Sequence, residues 1–287
     1  MSILQSGSRV MLRAGIFLAT ILVLPLSAQK ITFDSIPPND IEARLKKAPA
    51  NNQARFDTLK GLFTEAGCKQ LSEQEVKDGE QPNLICTLPG SGPATVVVGA
   101  HFDSGAKGEG VINNWAGAAL LPALYRSLNS SPRKITFQFV GFSGKEKGLA
   151  GSKAYVKALT KEQQRAVKAM VDIDCVGMTG LRLIVNKSDK SLVNIFARVA
   201  ASMKVPLTAT EAEQGDAKDS FPFSGKRIPS IEIHSLGLDQ TNVPNSEKDT
   251  MAAVNLDDYK ATARVISGFL AFLDATAEAA PASAGGR

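Results

Sequence analysis

Apolar residues are grouped along this chain in short, nearly continuous runs at 83–88, 94–100, 134–142, 169–176, 181–185 and 228–234. Runs of that length with few polar interruptions are the pattern of strands covered on both faces, rather than of strands with one wet side. Between them the spacing changes to that of helices, at 114–128, 148–159, 161–168, 189–203 and 255–277. Before the first run, Pro37-Pro38-Asn39-Asp40 reads as a turn and helix cap, and 41–66 has helical spacing interrupted by Pro49-Ala-Asn-Asn52, which predicts two short helices. Alternating strands and helices predict one α/β domain over 29–277, a three-layer α/β/α sandwich with a mixed, largely parallel central sheet. Residues 278–287, rich in Ala, Gly, Pro and Ser, read as a disordered tail, and no internal repeat is present.

The amino terminus has its own pattern. Arg9 and Arg13 precede an acid-free apolar run at 14–26, followed by Ser27-Ala28-Gln29, the layout of a secretory signal peptide covering 1–28. The run is short for a membrane span, so no stable span is expected once the signal is removed; a retained anchor is the alternative. The expected location is therefore periplasmic or secreted. Loss of the signal removes two cations and no acid, lowering the formal charge from +5 to +3. With 287 residues, 44% hydrophobic and 21% charged, the composition is that of an ordinary globular chain that needs no metal or disulfide to complete its core. No basic run is interleaved with aromatics, which argues against nucleic acid as a partner.

Export changes the reading of the three cysteines. Cys68 and Cys86 flank the polar stretch 72–83, and two short strands joined there would set them opposite each other. A Cys68–Cys86 disulfide is expected, with two small buried hydrophobes as the alternative. Cys175, inside an apolar run, is expected to be a buried thiol.

In sheets of this type, ligands sit beyond the carboxyl ends of the strands. The polar residues there are His101-Phe102-Asp103-Ser104, then Ser143-Gly144-Lys145-Glu146-Lys147-Gly148, then Asp174. An imidazole and two carboxylates from separate strand ends are the donors a divalent metal takes, and Asp103 is placed to hold the imidazole from behind. Other chemistry is absent: the glycines at 99, 105, 108 and 110 lack a phosphate-cradle spacing, and no Gly-x-Ser-x-Gly elbow surrounds Ser104. Trp115, the single tryptophan, reads as packing.

Five separated segments stand in order: Val-Val-Val-Gly-Ala-His-Phe-Asp-Ser at 96–104, Gly110-Val-Ile-Asn-Asn-Trp-Ala-Gly117, Phe142-Ser-Gly-Lys-Glu-Lys-Gly-Leu-Ala-Gly-Ser152, Asp172-Ile-Asp-Cys-Val-Gly177 and Val243-Pro-Asn-Ser-Glu-Lys-Asp-Thr250. Together they resemble the co-catalytic di-zinc aminopeptidases, metallopeptidase family twenty-eight, which also includes the glutaminyl cyclases and the transferrin-receptor ectodomain. Asp219-Ser-Phe-Pro-Phe223 fits the family's substrate-side loop. The resemblance implies a first zinc on His101 and Asp174 and a second on Glu146, with a bridging aspartate, a final histidine and a general-base glutamate before Glu146. Those last three positions hold Asn113, Asn245 and Lys145.

Each departure has a physical consequence. Asn113 offers no anion to offset the repulsion between two dications, and Asn245 replaces a nitrogen ligand by a weaker carboxamide. An ammonium at 145, about 6 Å from a dication, would cost roughly 5 kcal/mol at an effective dielectric of 20, and it has no lone pair with which to take a proton. Glu146 and Asp174 without metals need a counter-charge, and the Lys145 ammonium is the expected stand-in, against a solvated side chain as the alternative. His234, at the end of the last strand, is either a replacement ligand or a satisfied strand-end histidine; His101 is likewise either a ligand or a hydrogen-bonded histidine. The chain is thus expected to be an inactive or very weak peptidase homologue carrying no zinc or one ion at most, binding a peptide or a protein partner. The alternative is a mononuclear zinc aminopeptidase using His101, Asp174 and Asp103 or His234. The glutaminyl cyclase likeness implies no rescue, because that chemistry relies on a site of which only Glu146 remains.

Overall fold

The computed structural model describes residues 31–277 apart from 32, 78, 106 and 213–216; the expected signal peptide and tail lie outside the described residues. Within them, no helix is long and apolar enough to cross a membrane. The chain runs α1 (Pro38–Leu45), α2 (Asn52–Glu65), β1 (Leu71–Gln74), β2 (Asn83–Leu88), β3 (Thr95–His101), α3 (Ala116–Leu128), β4 (Thr136–Phe142), α4 (Ala150–Ala158), α5 (Lys161–Ala166), β5 (Val167–Ile173), β6 (Arg182–Ile184), α6 (Lys190–Ser202), β7 (Thr208–Thr210), α7 (Phe221–Ser224), β8 (Ser230–His234) and α8 (Leu256–Thr276). One eight-stranded sheet has the order β1-β2-β4-β3-β5-β8-β6-β7. Its centre, β4-β3-β5-β8, is parallel, and antiparallel pairings join β1 to β2, β2 to β4 and β8 to β6.

The continuous apolar runs are the central strands, and alternate residues feed two cores. Val96, Val98, Phe139, Val171 and Ile173 face the helix layer of α1, α2, α3, α6 and α8, where Phe196 of α6 meets Phe269 of α8 edge-on at 5.0 Å. Val97, Val140, Phe142 and Met170 face the other way, against Tyr155 of α4 and Phe223 of α7. Caps fix several helix starts: Asn51 accepts from the Ala54 N–H, Asp189 from Ser191 and Leu192, and Thr160 with Gln163 closes a capping box.

Four elements depart from the expectation; one is α7, a single helical turn beginning in the segment 219–223 read as a loop. β1 runs from Leu71 into the stretch 72–83 read as a connection; Ser72, Glu73 and Gln74 are polar because the strand is the exposed edge of the sheet. β7, with two of its three residues exposed, gives no apolar run to read. The helix expected at 161–168 stops at Ala166, because Val167 joins β5 and pairs with Thr95. Leu71 lies opposite Cys86, and a disulfide joins Cys68 to Cys86 across a Cα–Cα distance of 6.2 Å. Cys175 is free and buried.

Candidate active-site cleft

The parallel strands β3, β4, β5 and β8 deliver their carboxyl ends to one edge, and each brings a polar residue with it. β3 ends in His101. The Asp103 carboxylate then accepts the backbone N–H of Lys145 and of Glu146, both at 3.1 Å, tying the loop after β3 to the loop after β4. Arg55 of α2, fully buried, donates to the carbonyls of Phe102, Glu109 and Gly110 and lies over the Trp115 ring at 5.7 Å, so it fixes the same loop from beneath. Burial lowers this guanidinium's pKa to about 10.

Residues 111–115 form an irregular turn in which the Asn113–Asn114 peptide is cis. Asp249 accepts the N–H groups of Ile112 and Asn113 at 2.6 and 3.2 Å. The Asn114 amide donates to the Ile173 carbonyl and accepts from Gly117 and Cys175. Asn113 is therefore held from both sides, with its side chain turned toward His101.

His101 Nδ1 is 3.0 Å from the Asp103 carbonyl oxygen and 3.6 Å from its carboxylate, so the main chain, rather than the expected carboxylate, is the closer partner behind the ring. His101 Nε2 is 3.1 Å from Asn113 Oδ1 and 3.4 Å from Asp174 Oδ1. The Asn113 amide donates to Glu146 Oε1 at 3.2 Å and to Asn245 Oδ1 at 3.0 Å. Turned the other way it would set its oxygen against two acceptors, so Oδ1 belongs on His101. Both ring nitrogens then face oxygens, and both must carry protons. Burial works against that charge, but hydrogen bonds to Asp103 and Asp174 outweigh it and raise the pKa to about 9.

Lys145 Nζ donates to Glu146 Oε1 at 3.0 Å. Asp174, expected to share that lysine, is instead bound by Lys218 Nζ at 2.8 Å, in a pair whose side chains are only 12% and 5% exposed. Burial pushes the Asp174 carboxyl up, but Lys218 and the His101 hydrogen bond prevail and hold it well below the usual carboxylate range. Cys175 Sγ, 3.3 Å from Asp174 Oδ1, is a neutral thiol, its pKa raised by burial and by that carboxylate. His234 lines the cleft, but its Nε2 is 2.6 Å from Thr210 Oγ1; burial and Lys218 lower its pKa to about 4. It is thus the hydrogen-bonded strand-end histidine, engaged with a hydroxyl rather than with the Asp174 cluster. Behind the cleft, Asp172 and Glu232 face each other across β5 and β8, both pushed up by burial, with Ser220 donating its N–H to Asp172 and its hydroxyl to Glu232. The cleft has a volume of about 570 Å³.

Lys218, Arg55 and Asp249 are the residues that sequence reasoning missed. Lys218 directly precedes the substrate-side loop singled out at Asp219, and its position beside a cleft with two surplus carboxylates was the available signal. Asp249 stands inside the last matched segment, and Arg55 gave no signal beyond being a cation in a helix.

The donors present do not fit the two-ion centre that the segment pattern implies. The amide at 113 directs one N–H at Glu146 and the other at Asn245, its oxygen faces His101 Nε2, and ammonium groups already hold both Glu146 and Asp174. Among the described residues, no three His, Cys, Asp or Glu side chains converge so as to hold an ion.

The profile of Peptidase family M28 matches residues 83–270. The chain belongs to this family. Among the proteins similar to it, leupeptin-inactivating enzyme 1 of Streptomyces exfoliatus is 28% identical over 196 residues, 67% of this chain and 44% of that protein. A probable leucine aminopeptidase of Trichophyton verrucosum is 27% identical over 236 residues, 75% of this chain and 64% of that one. This chain thus spans about half to two thirds of these relatives' lengths. The LapA aminopeptidase of Legionella pneumophila superimposes with a TM-score of 0.72 at 19% identity, covering 88% of this chain and 79% of that one. A glutaminyl cyclase of Bacteroides thetaiotaomicron does so with a TM-score of 0.68 at 12% identity, covering 84% and 99%. At these identities the structures establish the shared fold: a mixed, largely parallel sheet between helices.

Proposed function

We propose that this chain is an exported M28 homologue that has lost peptide hydrolysis and keeps its cleft to bind a peptide or a protein partner without metal. One observation carries the reading: the two carboxylates at the family's metal positions, Glu146 and Asp174, are each held by a lysine ammonium, Lys145 at 3.0 Å and Lys218 at 2.8 Å. The position of the family's general base holds the first of these ammoniums. Burial would lower its pKa, but Asp174 and Glu146 raise it above the ordinary lysine value, which leaves no proton acceptor there at neutral pH. The apolar amino-terminal run and the Cys68–Cys86 disulfide support export.

A mononuclear zinc aminopeptidase is the second reading, and one distance favours it. His101 Nε2 and Asp174 Oδ1 stand 3.4 Å apart, close to the roughly 3.3 Å edge between two donors on a tetrahedral zinc. Against it stand the second proton on His101 and the Lys218 ammonium.

Metal analysis separates the readings. After dialysis against zinc, the purified chain is expected to retain well under one equivalent and to show no chelator-sensitive turnover of aminoacyl chromogenic substrates. One tightly held equivalent, with turnover abolished by Asp174→Ala, would establish the second reading and end the first.

A further inference from the structure

Hydrogen-bond accounting in the cleft indicates the chemistry of its ligand. Asp103, Glu146 and Asp174 present six carboxylate oxygens. Five are engaged: both of Asp103 by backbone N–H groups, Glu146 Oε1 by Lys145 and Asn113, and those of Asp174 by His101, Cys175 and Lys218. Of these, only Glu146 Oε2 has no partner among the described residues, and Glu211, which also lines the cleft, adds two further oxygens without one there. Spare donors are still the more numerous. Each ammonium carries three N–H groups, and Lys145 and Lys218 each use one within the described residues, so four remain, beside the Asn245 amide nitrogen, which has no acceptor there. All three residues line the cleft. Glu146, held by Lys145, is joined through the Asn113 amide and His101 to Asp174, held by Lys218, so the two ammoniums sit on one connected cluster of the cleft. Where spare donors outnumber spare acceptors, the complement is an acceptor-rich, anionic group, and charge-assisted hydrogen bonds from ammonium to carboxylate are among the stronger polar contacts available.

The cleft also offers apolar surface. Ile184, Leu236 and Pro244 line it among polar neighbours that include Thr210, Glu211 and Thr241, and Leu238, 88% exposed at the same cleft, is the exposed large hydrophobic residue among those described. An apolar side chain placed next to the ligand's anion would cover it. At about 570 Å³ the cleft has the size of a small-molecule site, enough for the end of a peptide. Building on the peptide-binding reading above, we propose that the cleft takes a peptide by its C-terminal carboxylate, held by Lys145 and Lys218, with an apolar last side chain against Leu236 and Leu238.

The test is a calorimetric titration of the purified protein with Ala-Ala-Leu, its C-terminal amide and its N-acetyl derivative. The free acid and the N-acetyl acid are expected to bind alike, and the amide about tenfold or more weaker, the worth of a lost charge-assisted hydrogen bond. The Lys145→Met/Glu146→Gln variant removes one ion pair without changing net charge, and it is expected to lose about tenfold for the acid while unfolding at the wild-type temperature. An amide that binds as well as the acid, or a double variant with unchanged affinity, overturns carboxylate recognition while leaving peptide binding standing. Loss of binding on N-acetylation overturns it in favour of recognition through the amine. No binding of any of the three at millimolar concentration overturns the peptide-binding reading itself.

Discussion

Replacing Lys218 by methionine keeps the aliphatic stem and removes the charge. Asp174 is then left in a site where its side chain is 5% exposed, without the ammonium 2.8 Å away. Removing one partner of a buried pair costs about 3–5 kcal/mol, because the remaining charge stays desolvated. Asp174 keeps His101 at 3.4 Å and the nearby Lys145, which places the expected cost at the low end, about 3 kcal/mol. In a domain of this size that lowers Tm by roughly 6–12 °C. The pH dependence follows from the direction of the Asp174 shift. Its folded pKa is depressed, so the pair stabilises the native state above the unfolded carboxylate pKa, and that stability is lost as pH falls through the folded value. The Lys218→Met deficit is therefore full at pH 8 and shrinks only once the pH falls below the ordinary carboxylate range, as Asp174 takes up a proton and no longer needs a cation. The double variant Lys218→Met/Asp174→Asn removes both charges and is expected within about 1 kcal/mol of wild type. Urea unfolding followed by circular dichroism at pH 8 and at low pH measures all three. A Lys218→Met chain within about 0.5 kcal/mol of wild type at pH 8, or a double variant as damaged as the single one, would refute the claim that this ammonium neutralises the site.

Three further outcomes are expected. Restoring the family residues with Asn113→Asp, Lys145→Glu and Asn245→His leaves Lys218 on Asp174, so zinc titration of that triple variant should show weaker uptake than the same variant carrying Lys218→Ala as well; equal uptake would mean that Lys218 does not compete for the site. Burial raises the Glu232 pKa to about 7, so the protonated form is the one the fold prefers, and stability falls as pH rises from the unfolded value near 4 through 7. Glu232→Gln should therefore gain on wild type between pH 5 and pH 8 by on the order of 2 kcal/mol, read from urea midpoints at the two pH values. Opening the Cys68–Cys86 disulfide, which closes a loop of 18 residues, should cost about 3 kcal/mol, seen as a fall in Tm on adding reductant that the Cys68→Ser/Cys86→Ser variant no longer shows.

How much of this was open to reading from the sequence depends on the distance over which each feature is encoded. The central strands are fixed by apolar runs a few residues long, so β2 to β5 and β8 stand out along the chain. β1 and β7 are made by pairing at the sheet's flanks, with exposed side chains, and local pattern does not record pairing. The cleft divides in the same way. His101, Glu146 and Asp174 are marked by the strands that end at or just before them, whereas Lys218 reaches Asp174 from 44 residues away, through a loop with no strand to announce it. Reasoning from charge alone demanded a counter-ion for two carboxylates and found one, Lys145. A cation's identity can be inferred from local sequence only when it lies next to its partner, as Lys145 lies next to Glu146.

Under the proposed function, that second lysine also accounts for a cleft that keeps its form without metal. In the family pattern, the positions of Asn113, Lys145, Glu146 and Asp174 are four carboxylates, and two dications bring the group to neutrality. Here two of those positions are no longer acidic, the remaining carboxylates number two, and two ammoniums face them. Over those four positions and their cations the charge sums to zero in both cases, although here the cations are covalently attached and the protonated His101 beside Asp103 and Asp174 adds one further positive charge. An attached cation differs in one respect: it cannot supply the coordination positions at which a metal activates water, but it keeps unused N–H groups directed at whatever enters the cleft. A site neutralised in this way trades Lewis acidity for hydrogen-bond donors. If the proposed function and carboxylate recognition both hold, loss of hydrolysis and affinity for an anionic ligand are two results of the same substitutions, and a variant that gains zinc by losing Lys145 and Lys218 should lose the peptide carboxylate in the same step.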